Sequence, residues 1–343
     1  MSYINETCSS LADFVSKLNT FLSGTPGWTT HHNAGAGEFA ARKSGSGYDV
    51  GFAAQWSTAA PNNLGIYHFL GAYNNGVAPY QQADDSGNGA QSTTDSVLDD
   101  MRFVAIGNTP VQYWCFEDDH YFHVVVQVDA TRFVHFGAGQ ILKYGSADFT
   151  GGEYVYGHRQ EGTFAADTAI KGGTSILLDG LCRDGDAPNS MEEYAATLHI
   201  EGMDSQVASG KFGVVMGAQN AANLGNDRQA VPKARVHIVG GFRGGPGVPC
   251  FGQMAGTLAS GLMPGYPLVL YYRRTSGSPL GIRPLGVMKD VRGVSIKNFA
   301  AGQEVTVGAD TWTFFPSFRK SPDDNTVNGY SAYQGIAYKK VTT

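Results

Sequence analysis

Short β-branched and aromatic runs, separated by polar turn residues, are the feature that most constrains the fold of this chain. The clearest group consists of three consecutive runs: Tyr113–Glu117, His120–Val128 and Arg132–Phe136. Runs of this length and composition, broken by Asp-containing turns, are typical of an antiparallel meander. We therefore predict three strands here, followed by a Gly- and aromatic-rich coil that extends to Gly157.

The middle run also predicts which side chains share a face of the sheet. In a strand, alternate residues point to opposite sides. One face is expected to carry Phe122, Val124, Val126 and Val128, and the other Tyr121, His123, Val125 and Gln127.

The glycine content and the first 27 residues complete the predicted fold class. The 46 glycines among 343 residues are about twice the usual share, without a collagen period. With 42% apolar residues, this content indicates many tight turns between short strands. Leu11, Phe14, Val15, Leu18, Phe21 and Leu22 follow the spacing of an amphipathic helix, which Ser9 or Ser10 could cap. We predict a mainly β fold of antiparallel sandwich or barrel-like units with an N-terminal amphipathic helix.

Changes in composition along the chain divide it into four predicted segments. These are the N-terminal helix (1–27), a β-rich domain (28–165), an intermediate region (166–245) and a C-terminal β-rich domain (246–343). The last segment contains a predicted hairpin, in which Glu304–Val307 and Thr311–Phe315 flank a turn.

Charge and hydropathy exclude several classes of function. The net charge is −6 and no Lys/Arg cluster occurs, so we expect no nucleic-acid binding. No apolar stretch reaches about 18 residues, so we expect no membrane insertion, and the N-terminus lacks the pattern of a signal peptide. We therefore expect the chain to be synthesised in the cytoplasm. A chain with only 16% charged residues but 17 Tyr, 19 Phe and 4 Trp often buries surface in an assembly, although an ordinary Gly-rich β protein is the alternative.

No sequence pattern identifies a catalytic, cofactor-binding or metal-ligating residue. His120 and His123 would point to opposite faces of a strand, as would His31 and His32, and His135 approaches His123 without a carboxylate partner. The acids of Glu117–Asp119 sit in one predicted tight turn, which does not supply the fixed separation needed for glycoside hydrolysis, so we expect a solvated turn. We therefore predict a protein that is not an enzyme and uses no cofactor.

Three further motifs do not match calcium-binding or phosphate-binding sites, and a fourth favours a protein–protein interface. The calcium-like stretch Asp324–Gly329 lacks the bidentate Glu of an EF-hand loop, and Asp184–Asp186 lacks supporting ligands. Gly240–Gly245 does not match a phosphate-binding loop. By contrast, Tyr271–Arg274 combines the residue types that are favoured at interfaces, with an ordinary half-buried strand as the alternative.

Two parts of the chain resemble structural proteins of tailed-phage virions. The first carries the pattern Tyr113-Trp114, Asp118-Asp119, His120–Val128, Phe136-Gly137, Lys143-Tyr144 and Thr150–Tyr154. The second is the C-terminal hairpin that ends in Trp312–Pro316, followed by a tail that closes on Gly335–Lys339.

The resemblance implies a setting more than an activity. It implies a structural component of the virion, in the tail or baseplate, that assembles with other tail or baseplate proteins and with copies of itself as a homo-oligomer. A glycan-binding or glycan-cleaving protein at the tail tip is the alternative. A capsid-decorating or neck protein is a third possibility.

Overall fold

The structure, a computed structural model, describes most of residues 2–157, most of residues 265–340 and three short stretches between them. The described residues are 2–56, 63–79, 82, 102–106, 110–145, 149–157, 196–201, 212–216, 234–239, 265–273, 282–296, 298–316 and 334–340. No helix within these ranges is long and apolar enough to cross a membrane.

The described residues form 18 strands and one helix. In chain order the elements are β1 Ser2–Thr7, α1 Leu11–Gly24, β2 Thr29–Asn33, β3 Glu38–Gly45, β4 Tyr48–Trp56, β5 Asn63–Phe69, β6 Arg102–Ala105, β7 Gln112–Asp118, β8 Tyr121–Gln127, β9 Phe133–Lys143, β10 Thr150–Tyr156, β11 Ala196–Glu201, β12 Phe212–Met216, β13 Ala234–Val239, β14 Tyr266–Arg273, β15 Ile282–Ser295, β16 Gln303–Val307, β17 Asp310–Pro316 and β18 Gln334–Lys340.

The strands pair into two sheets, which confirms the prediction of a mainly β chain with antiparallel sheets. Strands β2 to β6 form a five-stranded sheet in sequence order. The other 13 strands follow the order β1-β7-β8-β9-β10-β11-β12-β13-β14-β15-β18-β17-β16. An additional pairing of β9 with β15 closes the strands from β9 to β15 into a ring. Among the described pairings, only that of β12 with β13 is parallel.

The predicted meander, now β7, β8 and β9, lies between two hydrophobic cores. Phe122, Val124 and Val126 pack on one side, together with α1 and the five-stranded sheet. The opposite face of the meander packs against β10, β15, β17 and β18 through Trp114, Phe116, Val125 and other residues. The predicted alternation along β8 is therefore correct, and both of its faces are buried. This arrangement encloses the polar side chains of the second face inside the protein.

Helix α1 lies where the amphipathic spacing places it and packs on the β-rich body. The Ser10 hydroxyl caps it by accepting a hydrogen bond of 3.1 Å from the backbone N–H of Asp13. The Phe14 ring makes edge contacts with the rings of Tyr113 and Phe136, at centroid distances of 5.1 and 6.1 Å. The buried face of the helix consists of Leu11, Phe14, Val15, Leu18 and Leu22.

The predicted coil from Gly137 to Gly157 is wrong, because β9 continues to Lys143 and β10 follows. The glycines that suggest a coil instead make room for aromatic rings. A Cβ on Gly139 would lie 2.6 Å from the Tyr154 hydroxyl, and one on Gly137 would lie 3.1 Å from the ring of Tyr156. Glycine in a strand marks a close approach of neighbouring groups as well as a break.

Substitution of Gly139 by alanine is expected to destabilise the protein by about 1 to 3 kcal/mol, because the new methyl group overpacks the Tyr154 ring. Gly24→Ala is the matched control, since a Cβ there meets nothing within 4 Å. Urea unfolding of both variants measures the difference. Equal free energies of unfolding for the two variants would contradict this account of Gly139.

Strands from all four predicted segments join the 13-stranded sheet. β1 belongs to 1–27, β7 to 28–165, β12 to 166–245 and β15 to 246–343. The boundaries of these segments stay predictions. β1, β2 and the first part of β15 are strands that the sequence patterns did not predict.

Candidate functional site

A cluster of histidine and tyrosine side chains fills the interior on the second face of the meander. His123 Nδ1 lies 2.9 Å from the Tyr156 hydroxyl, and His135 Nδ1 lies 3.0 Å from the Tyr338 hydroxyl. The two hydroxyls are 3.4 Å apart, and the Tyr154 hydroxyl lies 3.4 Å from His123 Nε2. These side chains are buried. The five residues, here called the His–Tyr cluster, therefore form a continuous polar network within an apolar core.

The alternation of side chains along each strand, together with strand pairing, brings the members of the His–Tyr cluster together. His123 occupies the face of β8 that the sequence assigns to Tyr121 and Val125, and His135 stands opposite Val125 on β9. Tyr154 and Tyr156 are two residues apart on β10, so they share one face. Tyr338 comes from β18 and lies 203 residues after His135 in the chain. The cluster thus ties together strands that are remote in sequence.

Hydrogen-bond partners assign the tautomer of His135. His135 Nε2 lies 2.8 Å from the carbonyl oxygen of Pro316, so this nitrogen carries the proton and Nδ1 accepts from the Tyr338 hydroxyl. His123 makes a hydrogen bond to the backbone of Lys289, and its Nδ1 lies within hydrogen-bond distance of the Tyr156 hydroxyl. The imidazole of His135 is thus used as one donor and one acceptor.

Burial keeps His123, Tyr154 and Tyr156 uncharged at neutral pH. It lowers the pKa of His123 to about 3, because the imidazolium form would lose its hydration. It raises the pKa values of Tyr154 and Tyr156 well above the usual value. A neutral histidine with this pKa and tyrosines that do not ionise are poorly suited to acid–base catalysis near pH 7. The arrangement can hold strands together, and it does not present a reactive group.

A charged group lies next to the cluster, at an irregularity in β15. Asp290 has a φ of 56°, an uncommon conformation for a residue other than glycine. Its carboxylate accepts a hydrogen bond of 3.0 Å from the Tyr121 hydroxyl and lies 3.9 Å from Lys339 Nζ. Lys289, one residue earlier, forms an ion pair with Asp118. Hydrogen bonds from Lys289 and from the N–H of Asp119 outweigh burial and lower the pKa of Asp118.

The three acids of the 117–119 turn have three different environments. Glu117 is buried and accepts hydrogen bonds from Lys43 Nζ at 3.0 Å and from Trp28 Nε1 at 2.9 Å. Asp118 is buried against Lys289, whereas the side chain of Asp119 is 71% exposed. Two of these acids therefore serve as internal ion-pair partners, and the interpretation of the whole turn as solvated is wrong for Glu117 and Asp118.

The remaining histidine pairs diverge, as their spacing predicts. His31 stacks on Tyr73 and His32 on Trp56, on opposite faces of β2. His120 packs against Tyr48, whereas His123 points into the cluster. Within the described ranges, no group of three or more His, Cys, Asp or Glu side chains could hold a metal ion.

Several sequence candidates lie partly or wholly outside the described residues. The backbone of Tyr271–Arg273 lies in β14, which pairs with β13 and β15, while the side chains and Arg274 are outside. The stretches Asp184–Asp186, Gly240–Gly245 and Asp324–Gly329 are also outside.

Sequence reasoning missed several buried or partly buried polar side chains. The sequence does not single out Lys43, Asp290, Tyr156 or Tyr338, because the partner of each lies on a strand far away in the chain. The same holds for Glu153, which lies 2.8 Å from His199 Nδ1 and 3.2 Å from the backbone nitrogen of Asp49. The one relevant feature in the sequence was the spacing of Tyr154 and Tyr156, which are two residues apart and so point to the same face of a strand.

Comparison with models of known protein families finds no match to this chain, and comparison with curated proteins finds none either. Functional inference therefore depends on the geometry of the described residues and on the sequence patterns.

Proposed function

We propose that this protein is a structural component of a tailed-phage virion, in the tail or baseplate, that acts by assembling with other proteins of the particle and with copies of itself. One observation carries most of the weight. His123, His135, Glu117 and Asp118, which the sequence analysis considered as candidates for chemistry, are held inside the core by partners of the same chain. A structural protein needs no reactive group at its surface.

The architecture and the sequence resemblance support the same proposal. The ring of strands from β9 to β15 fits the predicted barrel-like units. The large sheet ends at β1 on one side and at β16 on the other, and both are edge strands. Edge strands provide sites for pairing with another chain. The motifs between Tyr113 and Tyr154 and at the C-terminus resemble virion proteins, which is the reason for placing the assembly in a tail or baseplate.

The glycan-binding or glycan-cleaving alternative requires aromatic rings beside accessible carboxylates. Glu117 and Asp118 are buried and paired with lysines, so they do not have the solvent access that a sugar would need. No described group favours this alternative over assembly, and the experiment below includes it as an outcome.

Quantitative mass spectrometry of purified particles tests the proposal. Phage particles that encode this chain are expected to contain it at a fixed ratio to a major tail protein, after purification removes a non-structural phage protein used as the control. Depletion of the chain together with that control would contradict the proposal. Cleavage of a host glycan by the purified protein would move the alternative to first place.

A further inference from the structure

β16 is the most exposed of the edge strands whose side chains the structure describes, with four of its five residues exposed. β16 is the last strand of the 13-stranded sheet and pairs only with β17. Gln303, Glu304, Thr306 and Val307 are exposed, and Val307 is 63% exposed. By contrast, β2, an edge strand of the smaller sheet, lies against helix α1.

The hairpin geometry determines which main-chain groups of β16 face outward. Gly308 and Ala309 form a two-residue loop between Val307 and Asp310, and Gly308 has a φ of 64°. Such a loop is closed by a hydrogen-bonded pair, and hydrogen-bonded and non-hydrogen-bonded pairs then alternate. Val307 and Val305 therefore bond inward to β17. Glu304 and Thr306 direct their N–H and C=O groups away from it.

Of the devices that block edge pairing, β16 carries one charged residue, Glu304, whose carboxylate is paired with Lys340. The sequence Gln-Glu-Val-Thr-Val contains no proline, glycine or lysine, and its pairing with β17 from Gln303 to Val307 runs without a register shift. Natural sheets usually protect an exposed edge with proline, lysine or a bulge. Outward main-chain groups on a regular strand without proline or lysine are able to pair with another strand.

We propose that the β16 edge pairs antiparallel with β16 of a second copy of this chain, in a register centred on Val305. This inference rests on the proposed assembly function and names the surface and the partner. In this register, Glu304 stands opposite Thr306 of the second copy, and the reverse pair is identical by symmetry. The outward groups of Glu304 and Thr306 then make four main-chain hydrogen bonds across the twofold axis.

The side chains make this strand complementary to itself. Val305 faces Val305 of the second copy, and Val307 faces Gln303, so the exposed valine gains a neighbour. Glu304 meets a threonine hydroxyl instead of another carboxylate, and it keeps its own ion pair of 2.9 Å with Lys340. No like charges stand directly opposite each other, which is the arrangement that cross-strand pairing favours.

Crosslinking with the full chain tests the register. In the non-hydrogen-bonded pair at the axis, the two Cα atoms of residue 305 would be about 4.5 Å apart, within the range of a disulfide. Val305→Cys is expected to form a disulfide between copies under mild oxidation, located by peptide mapping. Val307→Cys is the matched control, because residue 307 faces residue 303 and lies far from its own symmetry mate.

A second pair of variants tests the main-chain bonds. Thr306→Pro removes an N–H that points outward, so it leaves the β16–β17 pairing intact and is expected to weaken dimerisation about ten-fold or more. Thr306→Val keeps the N–H and is expected to dimerise like the wild type. Light scattering over a range of protein concentrations measures both, and circular dichroism checks that each variant is folded.

The outcomes separate this inference from the proposed function. Crosslinking at 305 but not at 307, with weaker dimers for Thr306→Pro only, supports β16 pairing. A wild-type monomer at all concentrations, or a dimer that Thr306→Pro leaves unchanged, overturns it. Either of these results leaves the virion proposal open, since that proposal is judged by the content of purified particles.

Discussion

Replacement of Lys43 by methionine is expected to lower the free energy of unfolding by about 3 to 5 kcal/mol, because it leaves the carboxylate of Glu117 buried without a counter-charge. Both side chains are almost fully buried, with 7% and 1% exposure, and the Nζ–Oε1 distance is 3.0 Å. After the substitution, Glu117 would keep only the hydrogen bond from Trp28. Urea unfolding at pH 7 measures the loss.

The chain offers a matched control and a rescue for this prediction. Lys17 forms an ion pair with Asp13 at 3.1 Å on the exposed side of α1, so Lys17→Met should cost less than about 1 kcal/mol. Adding Glu117→Gln to Lys43→Met should recover much of the loss, because the neutral amide can still accept from Trp28. A loss for Lys43→Met as small as that for Lys17→Met would show that the buried pair does not stabilise the fold.

Replacement of His123 by leucine is expected to cost about 1 to 3 kcal/mol at pH 7, since it leaves the Tyr156 hydroxyl without its acceptor and the backbone of Lys289 without its partner. The same variant should also change how stability depends on pH. Burial lowers the pKa of His123 to about 3 in the folded protein, whereas the unfolded chain takes up the proton near pH 6.5.

The direction of the pH dependence of stability follows from the pKa values of His123 in the folded and unfolded states. Between about pH 6.5 and pH 3 the unfolded state binds a proton that the folded His123 does not, so stability falls as the pH falls through this range. A drop of about 1 to 2 kcal/mol between pH 6.5 and pH 5 is expected from His123, before most carboxylates titrate. His123→Leu should lose this slope, while His120→Leu should keep it. An unchanged slope in His123→Leu would contradict the buried, neutral assignment.

Local patterns predicted the parts of the fold that depend on neighbouring residues. The alternation along Tyr121–Gln127, the helix face of Leu11–Leu22 and the hairpin around Gly308 each follow from short-range spacing. The extension of β9 through Gly137 and Gly139 was missed, because glycine weakens a strand pattern even where it admits the rings of Tyr154 and Tyr156.

The buried polar groups could not be predicted for a different reason. Lys43 and Glu117 are 74 residues apart, and Tyr121 and Asp290 are 169 apart, so each contact depends on how the sheets pair. A single sequence indicates which residues of a strand share a face. It does not give the order of 13 strands in a sheet. The sequence assigned His123 to one face of β8. It did not indicate that Tyr154 and Tyr156 would be its hydrogen-bond partners.

Electron microscopy of intact particles with a gold-labelled antibody against this chain tests the central claim most directly. A structural tail or baseplate component predicts label at the tail end of the particles that encode it, and none on particles that lack the gene. Label on the capsid would move the protein to a decorating or neck position. A complete absence of label from particles, with the chain present in the infected-cell lysate, would contradict the claim that it is a structural component of the virion.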